Sequence, residues 1–193
     1  NEYTVRHEQK LIEKRENQQL DFTDINMAET NRSILLNNLY GVDLNPESTE
    51  ITKLSLWLKT ARSSEPLQNL DKNIKNGNSI VDDPEFAGQR AFNWQKEFQE
   101  IMSAGGFDVI IGNPPYVRQE LIKDIKPYLE TKYKVYSGVS DLYVYFFEKA
   151  LDLLNENGYF AFIVSSKFLR ADYGRKLTQY LQQNFTILEL IDF

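Results

Sequence analysis

The stretch FDVIIGNPPY, residues 107–116, decides the fold of this chain. The short apolar run from Asp108 through Ile111 is typical of a strand buried on both faces of a parallel sheet. Pro114 and Pro115 have no backbone N–H to donate, so the strand ends abruptly before them. The carboxyl ends of parallel strands are where open α/β sheets bind ligands. The sequence therefore predicts a ligand-binding loop here, with an ordinary proline-containing loop as the alternative.

The residues Asn113-Pro114-Pro115-Tyr116 suit methyl transfer to a planar amino nitrogen. Such a nitrogen is a poor nucleophile because its lone pair is delocalised into the ring, and it becomes reactive when both N–H bonds point at acceptors. Asn113 offers a side-chain carbonyl, and Pro114 offers a backbone carbonyl whose direction the restricted Asn-Pro-Pro backbone fixes. Tyr116 offers a flat face on which an extruded base can stack.

With this loop the chain resembles S-adenosylmethionine-dependent adenine-N6 DNA methyltransferases, in particular the methylase part of bifunctional type II restriction–modification enzymes. The resemblance covers residues 34–193 and implies an α/β, Rossmann-like methyltransferase fold, a mostly parallel sheet with helices on both faces. It implies S-adenosylmethionine as cofactor and double-stranded DNA as partner. It also implies catalytic roles for Asn113, Pro114, Pro115 and Tyr116. Cytosine-modifying relatives more often carry serine at the first loop position, so Asn113 favours adenine N6.

Asp43 is the first implied cofactor contact. It closes the predicted strand LYGVDL, residues 39–44, and Asn45-Pro46 then begins a helix with a cap followed by proline. An acid at this position accepts hydrogen bonds from ribose hydroxyls in nucleotide-binding α/β folds. By resemblance Asp43 takes that role and Leu44 packs on the adenine of the cofactor. The alternative is a helix-terminal acid without a ligand.

Two further blocks extend the resemblance. In NIKNGNSI, residues 73–80, Asn78 is the implied contact to the adenine amino group of the cofactor, with Ser79 beside it. In DLYVYFFEKA the aromatic that matches the family's adenine contact is Phe146. A core role for Phe146 is an equally weighted alternative.

Composition excludes several classes of protein. The 193 residues are 41% hydrophobic and 26% charged, as in a soluble globular domain, and we expect a cytoplasmic protein without a metal site. The absence of cysteine excludes disulfides and thiol catalysis, and a single histidine, His7, argues against a serine–histidine hydrolase. The net charge of −6 argues against DNA binding by this chain alone. Residues 117–176 carry a net charge of +2, which a solvated surface explains equally well.

The glycine-rich turn that a Rossmann-like methyltransferase places after its first strand is missing, since no Gly-x-Gly occurs among the nine glycines. We therefore expect a sheet that lacks its glycine-loop first strand, and a chain that alone is inactive and binds the cofactor poorly. The predicted organisation is a polar lead-in over residues 1–30 and a partial methyltransferase catalytic domain over residues 31–193. Target-recognition and nuclease regions are expected outside this chain.

Two other functions remain open at this point. The same loop suits a methyltransferase that acts on RNA or on a protein glutamine amide, and the chain could be a non-catalytic interaction module. Sequence patterns predict helices over residues 31–38, from Asn45, over 119–134, from Ser140 or Asp141 to 154, and over 173–184. They predict strands over residues 39–44, 158–164 and 186–191, and a strand followed by a turn at Gly77 within residues 73–80.

Overall fold

The structure is a computed structural model that describes residues 24–60 and 69–192. It divides after Gly77 into two compact units. We call these the first unit and the second unit, and we describe each by itself. Most of the predicted lead-in over residues 1–30 lies outside the described residues.

In the first unit, helices alternate with two short strands. The elements are α1 (Asp24–Asn37), β1 (Gly41–Asp43), α2 (Pro46–Thr60) and β2 (Ile74–Asn76). The strands run parallel, with Gly41 opposite Ile74. Buried Leu35, Leu70 and Ile74 form the core of the unit.

The beginning of α2 follows from turn chemistry. The side chain of Asn45 accepts hydrogen bonds from the backbone N–H groups of Glu47 (2.8 Å) and Ser48 (3.2 Å). These bonds satisfy backbone N–H groups that the first turn of a helix leaves free. Pro46 is well suited to the first helical position, because the backbone N–H that it lacks would have no partner within the helix. The predicted cap is confirmed.

The second unit carries a parallel strand pair with helices before, between and after the strands. Short 3₁₀ turns occur at Gly88–Arg90, Gln119–Leu121, Lys123–Ile125 and Ser166–Leu169. The other elements are α3 (Pro84–Ala87), α4 (Trp94–Glu97), α5 (Gln99–Ser103), β3 (Phe107–Gly112), α6 (Lys126–Lys132), α7 (Tyr143–Leu153), β4 (Leu154–Phe162) and α8 (Gly174–Asn184).

Strands β3 and β4 pair in parallel, from Phe107 opposite Leu154 to Gly112 opposite Phe162. On one face the ring of Phe147 in α7 packs against Phe162, with 5.2 Å between the ring centroids. The helix therefore covers this face.

The other face of the pair is exposed. Val109, Ile111, Tyr159 and Ile163 form it, and each is 58–68% exposed. We call these four side chains the apolar sheet face. The prediction that residues 108–111 are buried on both faces is wrong, because Val109 and Ile111 are largely exposed.

The alternation of helices with parallel strands confirms the predicted α/β, Rossmann-like methyltransferase class. The described strands form two separate ladders, β1–β2 and β3–β4. Among the described residues no strand precedes β1, and the lack of the glycine-loop first strand stays a prediction.

Two elements differ from the sequence patterns. The predicted helix over residues 119–134 consists of two 3₁₀ turns followed by α6, because Pro127 fits only the first turn of a helix. Residues 186–191, predicted as a strand, have no ladder partner within the described part of the chain. Their apolar residues are exposed, so no packing partner stabilises an extended strand there.

Within residues 24–60 and 69–192, the helices are all too short or too polar to span a membrane. The same residues contain no cluster of three metal-ligating side chains.

Candidate active site

The loop after β3 begins where the ladder ends. The backbone N–H of Ile163 donates to the carbonyl of Gly112 (3.1 Å), and residues 113–118 then leave regular structure. Asn113 and Pro115 are exposed, whereas Pro114 between them is buried. The two prolines thus end the strand as predicted, and the buried ring of Pro114 anchors the loop.

Tyr116 is held by a contact that is distant in sequence. Its phenol donates a hydrogen bond to the carbonyl of Ile163 at 3.0 Å, just beyond the end of β4. Its ring lies 6.0 Å from the ring of Tyr143, tilted by 50°. The side chain is nevertheless 52% exposed. One side of the ring is therefore fixed by the protein while the rest is open to a ligand.

Tyr143 supports Tyr116 from within the core. It is 1% exposed, and its hydroxyl lies 3.1 Å from that of Tyr173. Burial, together with the bond to Tyr173, raises the pKa of the Tyr143 phenol well above its usual range. Tyr143 therefore stays neutral and acts as packing rather than as a base. Sequence analysis missed Tyr143, Tyr173 and the Ile163 carbonyl, and the only available signal was that buried tyrosines need a hydroxyl partner.

Asp141 secures the far end of the loop. Its carboxylate accepts the backbone N–H of Gln119 (3.3 Å) and lies 3.6 Å from the ammonium of Lys167. Next to it, the N–H of Leu142 donates to the carbonyl of Val117 (2.9 Å). The predicted cap role of Ser140 or Asp141 is wrong, because no side chain caps α7 and Asp141 is bonded to the loop instead.

Two acceptors of the loop remain available for a ligand. Among the described residues, neither the Asn113 side chain nor the Pro114 carbonyl is hydrogen-bonded to another group. Both lie within four residues of the fixed ring of Tyr116. Two acceptors beside a stacking surface can receive the two N–H bonds of an aromatic amino group.

Asp43 lies at the end of β1 in the first unit. It is exposed, and its Oδ1 accepts the backbone N–H of Asn45 at 2.7 Å. Its carbonyl accepts from the side chain of Asn76 and the backbone N–H of Gly77, both at 2.9 Å. Leu44 follows with 47% of its surface exposed. The carboxylate thus has a local structural bond and still faces solvent, as a hydroxyl-binding group requires.

Asn78 and Ser79 occupy a tight turn in the second unit. The backbone N–H of Asn78 donates to the carbonyl of Arg90 (2.7 Å), and its side-chain oxygen accepts from Ile80 (3.2 Å). The carbonyl of Ser79 accepts the indole N–H of Trp94 at 2.9 Å. This turn is fixed by its neighbours, and the side-chain amide N–H groups of Asn78 remain as donors.

Phe146 lies on α7, partly buried and packed against the core of the second unit. This position agrees with the core role and leaves part of the ring accessible, so the cofactor role stays a prediction.

The parallel strands, the acidic end of β1 and the Asn-Pro-Pro-Tyr loop after β3 are features of the α/β methyltransferase fold class. Comparison with known families agrees, because the model of the Eco57I restriction-modification methylase matches residues 37–193. The chain belongs to this family.

Individual relatives cover the same region. The chain is 32% identical over 178 residues to the type II restriction enzyme and methyltransferase RM.Eco57I of Escherichia coli, which is 86% of this chain and 18% of that protein. It is 40% identical over 101 residues to the type II methyltransferase M.BstVI of Geobacillus stearothermophilus, covering 51% of this chain and 17% of the relative. It is 34% identical over 87 residues to the type II methyltransferase M.XhoI of Xanthomonas vasicola, covering 45% of this chain and 16% of the relative. The chain therefore spans less than a fifth of each of these relatives.

Proposed function

We propose that the protein containing this chain transfers a methyl group from S-adenosylmethionine to N6 of adenine in duplex DNA, within a restriction–modification system. The observation that carries the proposal is the loop after β3. Its two available acceptors, Asn113 Oδ1 and the Pro114 carbonyl, come three and two residues before Tyr116, whose ring is exposed and whose hydroxyl is hydrogen-bonded.

The chemistry follows from these three groups. An adenine turned out of the duplex stacks on Tyr116, which offsets part of the cost of leaving the base stack. Its two N6–H bonds donate to Asn113 and Pro114, which draws the nitrogen towards tetrahedral geometry and localises its lone pair. When bound, S-adenosylmethionine supplies an electrophilic methyl group. The N–C bond forms as the S–C bond breaks, and the alkylated nitrogen is acidic enough to lose its proton to water.

The implied cofactor contacts fit the groups of an adenosine. Asp43 presents an exposed carboxylate that suits ribose hydroxyls, and exposed Leu44 suits an apolar base face. Asn78 retains side-chain donors beside Ser79, and Phe146 retains a partly accessible ring. We assign these five residues to cofactor binding.

The names of the relatives support DNA as the substrate. The Escherichia coli protein is named both a restriction enzyme and a methyltransferase, and the two others are type II methyltransferases. We assign target recognition and any nuclease to parts of the protein outside this chain.

The test is to methylate DNA with the complete protein, digest it to nucleosides and identify the product by mass spectrometry. We expect N6-methyladenine, and none from the variant Asn113→Ala. Only N4-methylcytosine would overturn the choice of atom. Transfer to RNA or to a glutamine amide, but not to DNA, would overturn the substrate. No transfer and no cofactor binding would favour an interaction module.

A further inference from the structure

A groove of about 400 Å³ lies on the second unit, between the 3₁₀ turn that follows β4 and the beginning of α8. Arg170 and Arg175 both line it, with Phe168, Leu169 and Ala171 as apolar neighbours. We call it the arginine groove. Resting on the proposed function, we propose that the arginine groove binds the phosphate backbone of the duplex DNA whose base enters the active site.

Charge is the first support. Residues 163–179 contain four lysines and arginines and one aspartate, a net of +3 in a chain whose net charge is −6. Cations are thus concentrated in a short segment of an acidic chain. Association with a polyanion at this segment is favoured by local attraction, whereas most of the remaining surface repels it.

The arginines are available for exchange with phosphate. Arg170 and Arg175 are 81% and 79% exposed, and each has one exposed acidic partner, Asp192 at 3.7 Å and Asp172 at 2.9 Å. Exposed ion pairs contribute little to stability, so a phosphate can replace either partner. Each guanidinium presents its donors in a planar fork that matches two phosphate oxygens.

One glycine allows a close backbone approach beside the groove. A Cβ on Gly174 would lie 1.7 Å from the carbonyl oxygen of Phe168, so α8 begins closer to the preceding turn than any other residue would allow. The N–H of Gly174 donates to the carbonyl of Ala171 at 3.0 Å, which closes the turn. Arg170 directly precedes this turn and Arg175 directly follows it, so the turn separates the two arginines by a short stretch of backbone.

The groove is connected to the active-site loop. Ile163, whose carbonyl binds the Tyr116 phenol, precedes Arg170 by seven residues, a distance of at most about 25 Å along the chain. One DNA strand advances about 3.4 Å per nucleotide, so the groove lies within about seven nucleotides of a base stacked on Tyr116. The bond between the Tyr143 and Tyr173 hydroxyls links the same two regions.

The test measures how salt weakens the binding of the complete protein to a labelled duplex, by fluorescence anisotropy without cofactor. Each phosphate contact adds about 0.9 to the slope of log affinity against log salt concentration. We expect Arg170→Gln with Arg175→Gln to reduce the slope by about 1.8. Between about 50 and 200 mM salt this change corresponds to about twelvefold in affinity.

Matched variants make the result specific. Lys59→Gln with Lys96→Gln removes two exposed cations on other elements and should leave the slope unchanged. Arg170→Lys with Arg175→Lys keeps both charges and should keep most of the slope. Asp172→Asn removes a competitor of phosphate and should tighten binding at low salt several-fold without any loss of charge from the arginines.

The outcomes separate this proposal from the proposed function. If the wild-type protein methylates DNA but the double glutamine variant has an unchanged slope, the groove assignment is overturned alone. If Asp172→Asn leaves binding unchanged or weaker, the assignment is also contradicted, even where the double variant fails to fold. A wild-type protein that neither binds nor methylates DNA overturns both.

Discussion

The loops after β1 and after β3 both follow a parallel strand, and they are stabilised in opposite ways. In the first loop the side chains are bonded to sequence neighbours, because the Asp43 carboxylate accepts from Asn45 and Asn45 caps α2. The backbone carbonyl of Asp43, by contrast, is bonded to distant residues, Asn76 and Gly77. The second is held by residues distant in sequence, since Tyr116 is bonded to Ile163 and Val117 to Leu142. The comparison teaches that a polar turn can orient a binding side chain through bonds to adjacent residues. A proline loop without such bonds needs the tertiary structure.

The largest expected effect is that of Asn113→Ala in the complete protein. The variant loses one of two acceptors at the reacting nitrogen, and the loss of one oriented group at the reaction centre costs about 10²–10³ in rate. DNA affinity should change far less, because Asn113 is not part of the contacts that hold the loop. Single-turnover methylation and anisotropy measure the two quantities. An equal loss of rate and affinity would show that Asn113 supports the loop instead. The loop after β3 would then also be stabilised by its own side chains, contrary to the comparison above.

Next in size is Asp43→Ala. Loss of charge-assisted bonds to ribose costs about 1.5–3 kcal/mol, a roughly ten- to hundredfold rise in the dissociation constant of the cofactor, measured by calorimetry on the complete protein. Asp43→Asn is the matched control, because its amide oxygen still accepts the Asn45 N–H while the charge is lost. If only Asp43→Ala weakens cofactor binding, the binding depends more on the turn that Asp43 holds than on its charge. If neither does, Asp43 is a helix-terminal acid.

Two substitutions of Tyr116 distinguish its stacking on the base from the hydrogen bond that positions its ring. Tyr116→Ala should lose about 1–3 kcal/mol of base stabilisation. Tyr116→Phe keeps the ring but loses the bond to the Ile163 carbonyl, worth about 0.5–1.5 kcal/mol. If stacking were the only role of Tyr116, phenylalanine would be nearly silent. The bond to the Ile163 carbonyl leads us to expect a loss of up to about tenfold in rate. Identical rates for wild type and Tyr116→Phe would show that the long-range bond to the Ile163 carbonyl does not contribute to the reaction.

The last prediction concerns stability instead of the reaction, and it tests the support beneath the loop. Tyr143→Phe leaves the hydroxyl of Tyr173 without its partner in the core, at a cost of about 1–3 kcal/mol in the free energy of unfolding. Thermal unfolding should show a melting temperature lowered by several degrees. Tyr159→Phe changes an exposed tyrosine and serves as the control. Equal melting temperatures for the two variants would contradict a supporting role for Tyr143.

The predictions from sequence succeeded where chemistry is local. The cap at Asn45, the strand end at Asp43 and the stop at Pro114 each follow from a few adjacent residues, and each is present in the structure. The α/β class was implied by the family resemblance that the Asn-Pro-Pro-Tyr loop carries. The residue roles at the site remain predictions that the experiments above test.

The failures concern contacts between distant residues. Whether residues 108–111 are buried on both faces depends on what packs on them, which the apolar run itself does not record. Likewise, the residues that hold Tyr116, namely Ile163, Tyr143 and Tyr173, are 47, 27 and 57 positions away in the sequence. A backbone carbonyl carries no sequence signal, so the bond to Ile163 could not be predicted from residue type.

The apolar sheet face also governs how the isolated chain behaves as a colloid. Four large side chains in contact with water attract one another between molecules, while the net charge of −6 keeps molecules apart. Added salt shortens the range of that repulsion to about 8 Å near 0.15 M and leaves the attraction intact. Dilute buffers should therefore keep the chain dispersed, and concentrated sulfate should precipitate it early.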